Sequence, residues 1–189
     1  MTKTPQTESN TYKPVSFSQT VLTELMIPSY SNFGGKIHGG ILLSLMDKVA
    51  YVCAAKHAGN YCVTASIDTV NFLAPVEVGE LVSLMASINY VGKTSLVVGI
   101  RVISENVKTN TIKHTNTCYF TMVAKDEQNK TVMVPGLILE NHEQVRRFIE
   151  SRERKDIRRS YAKELEQVSI PEQDEQCMAL LAGERCKLA

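Results

Sequence analysis

The chain has 189 residues, of which 43% are hydrophobic and 22% charged, and its formal net charge is +1. This length fits one domain with an appendage, and the composition is typical of a globular protein rather than a disordered chain, a collagen or a coiled coil. The near balance of 21 basic against 20 acidic residues argues against a nucleic-acid partner. No apolar run approaches the roughly 18 residues needed to cross a bilayer, so we expect no membrane span.

The N-terminal residues and the cysteines both indicate the cytoplasm. Residues 1–14 are polar, contain two prolines and lack the apolar core of a secretory signal, so we interpret them as a flexible arm. The five cysteines are odd in number and widely spaced, which fits neither a disulfide framework nor a zinc cluster. We therefore expect reduced thiols and no metal. Cys62 is expected in the core rather than as a nucleophile, because no base stands near it in the sequence.

The first two predicted elements are a strand and a long helix. Residues 16–27 are rich in β-forming side chains and predict a strand, which Pro28 ends. Residues 41–55 have no period of two and many helix formers, and their polar positions form one narrow helical stripe: Ser44, Asp47, Lys48 and Tyr51. Since the rest of this helix is apolar, we expect it to be buried nearly all round. A buried Asp47 would be costly unless it is hydrogen-bonded, paired or functional.

Four further strands are predicted after the helix, at residues 61–73, 80–90, 94–104 and 111–125. The short turn at residues 91–93 predicts a hairpin between the second and third of them. The charged residues 141–168, free of proline and glycine, predict a solvent-facing helix, and residues 169–189 predict a mobile tail. One helix followed by antiparallel strands is an α+β pattern, in which a curved sheet wraps the helix.

A glycine-rich loop from Asn32 to Gly40 leads into the helix. Glycine-flanked N–H groups at a helix N-terminus, with the positive end of the dipole, attract a carbonyl oxygen that gains negative charge. Asp47 lies two turns further along the polar stripe, and the amide of Asn32 can hold a water or a carbonyl. The loop alone is a weak signal, because such loops also serve as tight turns for close helix packing. Its lysine and serine spacing does not fit a P-loop.

The pattern Asn32-x-x-Gly35-x-x-His38-Gly39-Gly40-x6-Asp47 resembles the signature of the hotdog-fold acyl-CoA thioesterases, in particular the cytosolic acyl-CoA hydrolase group. Further segments match in the same order, namely Phe72-x-x-Pro75-x-x-x-Gly79-Glu80, Val91-Gly92-Lys93-Thr94-Ser95, Ser104-Glu105-Asn106 and Val134-Pro135. The similarity runs from about residue 15 to residue 139. Several spaced motifs in the right order are more specific than any one of them.

This resemblance implies a hotdog domain over residues 15–140 that pairs with a second copy through its sheet. It also implies hydrolysis of acyl-CoA to free fatty acid and CoA, without metal or other cofactor, at the interface of a homodimer or of a trimer of dimers. By the same resemblance, Asp47 is the general base or the nucleophile, and Asn32 orients the water or the thioester. The backbone N–H groups of Gly39 and Gly40 form the oxyanion hole, and the asparagine and aspartate of one site come from opposite chains.

The remaining matched positions are expected to bind substrate. The resemblance places Lys93, Thr94 and Ser95 near CoA. Histidine is a frequent general base, but other family members carry different residues at the position of His38, so we expect it to pack the loop or line the pocket. Two alternatives stay open: a non-catalytic acyl-CoA-binding sensor, which the presence of both asparagine and aspartate disfavours, and a hotdog hydratase or dehydratase, which is expected to use a His/Asp pair in another loop arrangement.

Overall fold

The computed structural model describes residues 11–168 and 174–186, which fall into two compact units, one ending at Ser151 and one beginning at Arg152. In the first unit a curved, five-stranded antiparallel sheet wraps the long helix α2 (Gly39–Ala58). The strands, in their order across the sheet, are β2 (Thr20–Leu25), β4 (Leu81–Val91), β5 (Ser95–Asn106), β6 (Thr111–Lys125) and β3 (Tyr61–Ile67). This arrangement confirms the predicted α+β fold.

The segment before the sheet differs from the prediction. Three residues assigned to the flexible arm form β1 (Tyr12–Pro14), which pairs in parallel with β7 (Gly136–Ile138); residues 1–10 lie outside the described residues. The predicted strand over residues 16–27 is instead one helical turn, α1 (Val15–Ser18), followed by the shorter β2. The turn buries its first and fourth residues, which lie on one face of a helix but on opposite faces of a strand.

Strand β3 is shorter than predicted and ends at Ile67 instead of residue 73. A β-bulge interrupts its pairing with β6 between Thr64 and Ser66, and bulges bend a strand away from its regular course. Residues 68–73 then run beside β6 as a loop, held by single hydrogen bonds such as Leu73 N–H to the Thr115 carbonyl at 2.9 Å. This loop ends in the candidate site.

The core lies between α2 and the concave face of the sheet. Its fully buried side chains include Met46 and Val49 from the helix and Leu84, Ile100 and Phe120 from the strands. Three cysteines are also buried here, Cys62 as predicted, and burial raises the pKa of Cys62 to about 11 and of Cys53 and Cys118 to about 12. These thiols therefore stay protonated near neutral pH and act as small hydrophobic groups.

One face of α2 is open in the single chain, which corrects the prediction of burial nearly all round. The polar stripe residues Ser44, Asp47 and Lys48 are exposed, and the side chains of Tyr51 and Val52 beside them are each 40% exposed. The sheet wraps the helix from the other side only. Asp47 is therefore an accessible carboxylate and not a buried one.

The charged helix α3 (His142–Glu166) forms where it is predicted. Asn141 caps it by accepting the Gln144 N–H at 3.0 Å, and within the first unit the Phe148 ring packs on Tyr90 with ring centroids 5.1 Å apart. In the second unit the rest of α3 is solvent-facing, and α4 (Asp174–Leu180) lies within the segment predicted as a mobile tail. Residues 169–173 and 187–189 lie outside the described residues. No helix in the described part of the chain is long and apolar enough to cross a membrane.

Glu80 is buried at the start of β4 and fixes the turn that precedes it. Its carboxylate accepts the Glu77 N–H at 3.0 Å and the Ser104 hydroxyl at 2.6 Å, and the Lys113 ammonium lies 2.9 Å from its other oxygen. Burial by itself raises the pKa of Glu80, but these hydrogen bonds and the lysine charge outweigh it and lower that pKa below its ordinary value of 4.5. The charged carboxylate thus stabilises the turn.

We expect the substitution Glu80→Gln to lower the free energy of unfolding at neutral pH by about 2 kcal/mol, because charge-assisted hydrogen bonds are lost. The pKa of Glu80 is lower in the folded than in the unfolded chain, so its contribution is complete above the unfolded-state value of 4.5 and disappears as the pH falls through the folded-state pKa. The stability difference from wild type should therefore shrink below about pH 4.5.

Urea unfolding at one protein concentration, followed by circular dichroism at neutral and at acidic pH, measures this difference. Glu127→Gln is the matched control, since Glu127 is exposed in a turn and should show no difference at any pH. A Glu80→Gln deficit that stays constant down to the acid limit would contradict the assignment.

Candidate active site

The loop before α2 is shaped by the side chain of Asn32. Its Oδ1 accepts hydrogen bonds from the N–H groups of Gly34 at 2.9 Å and Lys36 at 3.2 Å, and its own N–H donates to the Lys36 carbonyl at 2.7 Å. Gly35 closes the loop with φ of 74°, a left-handed conformation that favours glycine. The side-chain oxygen of Asn32 is an acceptor that the loop already uses, so the group left to bond a ligand is the Nδ2 donor.

This loop is fastened to the segment that leads into β4. The Ile37 N–H donates to the Val76 carbonyl at 2.9 Å, and Lys36 Nζ lies 2.5 Å from Glu77 Oε1. Glu77 belongs to the turn that the buried Glu80 holds. The loop therefore rests on an anchored support, which favours a fixed position for the Asn32 amide.

His38 caps the N-terminus of α2. Its Nδ1 accepts the Gly40 N–H at 2.9 Å, and this contact places the proton of a neutral ring on Nε2. Within the described residues no acceptor bonds the Gly39 N–H. Of the two expected oxyanion-hole donors, the Gly40 N–H is thus engaged by His38 in this structure, and the Gly39 N–H is free.

A cavity of about 460 Å³ opens at this helix end. Its polar lining comes from Asn32, Lys36 and Gly39, and its apolar walls are Ile37, Leu42, Phe72, Leu73, Ala74, Pro75 and Val76. Residues with N–H donors in the lining of a mostly apolar cavity suit a ligand that carries a carbonyl on an apolar chain. His38, expected to pack the loop or line the pocket, caps the helix instead of lining this cavity.

Asp47 lies apart from this cavity but is held in place. Its Oδ1 accepts a hydrogen bond of 2.6 Å from the Thr64 hydroxyl of β3. Seven residues of α-helix separate it from Gly40, which corresponds to about 10 Å along the axis. Reacting groups meet at about 3–3.5 Å, so one chain does not present its Asp47 directly to a carbonyl bound at Gly39.

Thr64 is the site residue that sequence reasoning missed. It is one polar position among several on an alternating strand, and no spacing rule links it to a helical carboxylate seventeen residues earlier. Only the packing of β3 beside α2 brings the two side chains together. The hydroxyl fixes one carboxylate oxygen and leaves the other available.

The predicted CoA-binding residues Lys93, Thr94 and Ser95 lie at the far end of the sheet. They form the β4–β5 hairpin, in which the Gly92 N–H donates to the Ser95 carbonyl at 2.7 Å. The eleven residues of β4 separate this hairpin from the Glu80 turn by about 30 Å. Within one chain, these residues are not brought together with Asn32 or Gly39.

A second cavity, of about 490 Å³, lies on the other face of the sheet and contains none of the predicted site residues. Its polar floor includes Ser87 and Asn89, and Arg146 and Arg147 on its wall form ion pairs with Glu143. Across residues 11–168 and 174–186, no three His, Cys, Asp or Glu side chains come together as they do around a metal ion.

Comparison with known proteins places this geometry in a family. The model of the thioesterase superfamily matches residues 34–110. Protein VdlD of Helicobacter pylori is 45% identical over 147 residues, covering 77% of this chain and 84% of that protein. The uncharacterized acyl-CoA thioester hydrolase YkhA of Bacillus subtilis is 34% identical over 128 residues, covering 68% of this chain and 74% of that protein.

Solved structures agree. An apo-hexameric acyl-CoA thioesterase superposes with a TM-score of 0.78 at 36% identity, covering 80% of this chain and 97% of that one. An acyl-CoA hydrolase from Staphylococcus aureus, in complex with butyryl coenzyme A, coenzyme A and coenzyme A disulfide, superposes with a TM-score of 0.74 at 29% identity, covering 90% and 99%. The chain therefore belongs to the acyl-CoA thioester hydrolases of the hotdog-fold thioesterase superfamily.

Proposed function

We propose that this protein hydrolyses the thioester of acyl-CoA to a free carboxylate and CoA. The observation that carries the proposal is the pair of N–H donors, Asn32 Nδ2 and Gly39 N, on two residues that line one largely apolar cavity at a helix N-terminus. A carboxylate two turns along the same helix is held by Thr64 and is exposed to a second chain. Relatives named as acyl-CoA hydrolases, one of them in complex with butyryl coenzyme A, support the same reaction.

The reaction follows from these groups. Asp47 takes a proton from water, the water oxygen bonds to the thioester carbon, and the carbonyl electron pair moves onto oxygen. The Gly39 N–H stabilises that oxyanion, a contribution of about 2.7–4 kcal/mol for one donor in acyl transfer. The oxyanion electron pair then re-forms the carbonyl as the C–S bond breaks, and the CoA sulfur takes the proton that Asp47 removed from water. A positioned base adds roughly 10²–10⁴-fold. Direct attack by Asp47 as a nucleophile is the alternative first step.

Comparison with the Staphylococcus aureus enzyme supports a role for Asn32, Asp47 and Thr64 in the reaction. Its structures include variants in which an asparagine, an aspartate and a threonine are each replaced by alanine. The asparagine stands 15 positions before the aspartate, and the threonine 17 positions after it. Asn32, Asp47 and Thr64 have the same spacing in this chain.

We propose that each complete site uses two chains. Asn32 and Gly39 line the cavity of one chain, whereas Asp47 lies on an exposed stripe outside that cavity. A homodimer that faces two such stripes would bring the Asp47 of one chain toward the cavity of the other. The hexameric relative supports further assembly into a trimer of dimers.

The remaining site residues take more limited roles in this proposal. Gly39 is the main oxyanion donor, and the Gly40 N–H joins it only when the His38 ring turns away. Lys93, Thr94 and Ser95 would contact the CoA of another chain's site, since they lie far from the cavity of their own. The reaction needs no cofactor beyond the CoA of its substrate, and the cytoplasm stays the expected compartment.

We expect the substitution Asp47→Asn to lower kcat at least 100-fold, because the base is lost. Release of CoA from acyl-CoA, followed with a thiol reagent, measures this. Glu127→Gln is the control for removal of an exposed carboxylate and should be unaffected. An Asp47→Asn variant with wild-type turnover would rule out the mechanism, and a wild type that binds acyl-CoA tightly without turnover would favour the sensor alternative.

The substitution Thr64→Val should lower kcat by about tenfold with little change in KM, since the hydroxyl orients the carboxylate and a misplaced catalytic group costs up to about 100-fold. Thr64→Ser keeps the hydrogen bond to Asp47 and should restore most of the rate. Equal losses in the valine and serine variants would show that Thr64 acts through packing and not through its hydroxyl.

The shared site is tested by co-expressing two inactive chains, Asn32→Ala and Asp47→Asn, in equal amounts. Half of randomly paired dimers are mixed, and each mixed dimer holds one intact site of two, so about one quarter of wild-type activity should return. Each variant expressed alone is the control. Recovery of no activity from mixed dimers, verified by two affinity tags, would place each site within a single chain.

A further inference from the structure

The loop of residues 68–76 forms a wall of the candidate site, and Phe72 is its most informative residue. The ring of Phe72 packs on the Cα of Gly39. A Cβ at that position would lie only 3.2 Å from Phe72 Cζ and 3.6 Å from Cε1. Phe72 lines the same cavity as Asn32 and Gly39. Phe72 is thus adjacent to the donor proposed to hold the thioester oxygen.

Asn116 fixes the position of this loop. Its side chain is fully buried on β6, and its Nδ2 donates to the Asn71 carbonyl at 2.8 Å, one residue before Phe72. On the other side of Phe72, the Leu73 N–H donates to the Thr115 carbonyl at 2.9 Å. The backbone is therefore held immediately before and immediately after the aromatic residue, which restricts where the ring can lie.

Packing of the core does not explain why the buried residue at position 116 is an asparagine. Asn116 occupies a position on the inner face of β6, in line with the apolar residues Cys118 and Phe120. A bulge in the β5–β6 pairing next to it leaves Thr115 buried as well. Burying an amide among apolar side chains is costly unless it is hydrogen-bonded, and the bond to Asn71 is the one that its Nδ2 makes.

We infer that Phe72 is a specificity-determining residue that contacts the substrate beside its carbonyl carbon, and that Asn116 positions it. This inference rests on the proposed thioesterase function. A carbonyl oxygen that bonds the Gly39 N–H lies about 3 Å from that nitrogen. The atoms attached to the carbonyl carbon therefore come within van der Waals reach of the ring that covers Gly39.

Substituents on the acyl α-carbon are the groups that this wall excludes. A straight acyl chain has only hydrogens at that carbon and can pass along the face of the ring. A methyl branch there needs the space that the ring fills, and the two hydrogen bonds that flank Phe72 oppose its withdrawal. The enzyme should therefore prefer unbranched acyl-CoA over the α-branched isomer of the same carbon number.

The test compares kcat/KM for butyryl-CoA and isobutyryl-CoA, which have the same composition and differ in the α-branch. In Phe72→Ala the ratio of kcat/KM for isobutyryl-CoA to that for butyryl-CoA should rise about tenfold, since one methyl group in a fitted pocket changes kcat/KM by roughly 10–200-fold. Phe33→Ala is the matched control, because Phe33 is fully exposed on the Asn32 loop and lines no part of the cavity. It should leave the ratio unchanged.

Asn116→Asp tests the positioning role, since it removes the Nδ2 donor with little change of volume, and Asn116→Leu is the apolar counterpart. Either substitution, made in wild type, should raise the ratio of kcat/KM for isobutyryl-CoA to that for butyryl-CoA. Made in the Phe72→Ala variant, it should leave this ratio unchanged. A ratio unaffected in Phe72→Ala, while butyryl-CoA is still hydrolysed, would overturn this inference alone. A wild type that hydrolyses neither these esters nor a long-chain acyl-CoA would overturn the proposed function and this inference with it.

Discussion

The rest of the structure depends on one constraint: the N-terminus of α2 must stay accessible while the helix behind it packs into the core. Helix N–H groups without partners are costly when they are buried. Here Gly40 is satisfied by the His38 cap, and Gly39 faces a cavity. A side chain at either glycine would meet the His38 or the Phe72 ring at about 3 Å. The glycines therefore allow the close approach of these rings, and the Gly39 N–H is free because it is at the first position of the helix.

The accessible helix end is held by a chain of contacts that begins at a buried charge. Glu80 fixes the turn before β4, that turn holds Lys36 through Glu77, and the loop then sets the Asn32 amide. Of these contacts, the ion pair between Lys36 and Glu77 joins distant parts of the sequence, and the other two are local. The ion pair between Lys36 and Glu77 is half exposed and contributes little by itself, so most of the support comes from Glu80 and from the backbone hydrogen bonds.

The sequence predicted the helix, the approximate positions of the five sheet strands and the loop chemistry, because each follows from local periodicity or from a spaced motif. It did not predict Thr64 or Asn116, since a residue on a strand reveals its partner only after the sheet has closed around the helix. The end of β3 was misplaced for a related reason: residues 68–73 alternate like a strand but leave the sheet after the bulge at Thr64 and Ser66. Functional loops and bulges often interrupt regular strands in this way.

The sequence predicted more burial along α2 than a single chain shows, and we propose that two chains share each site. Both points have the same cause. Composition shows how apolar a helix is but not which chain covers it, and a single chain leaves Tyr51 and Val52 open beside Asp47. On the proposed pairing, a second chain would cover this stripe, so the sequence pattern would reflect burial in the assembly. Asp47 would then be enclosed only where the partner's cavity meets it, which would couple assembly of the oligomer to formation of the catalytic site.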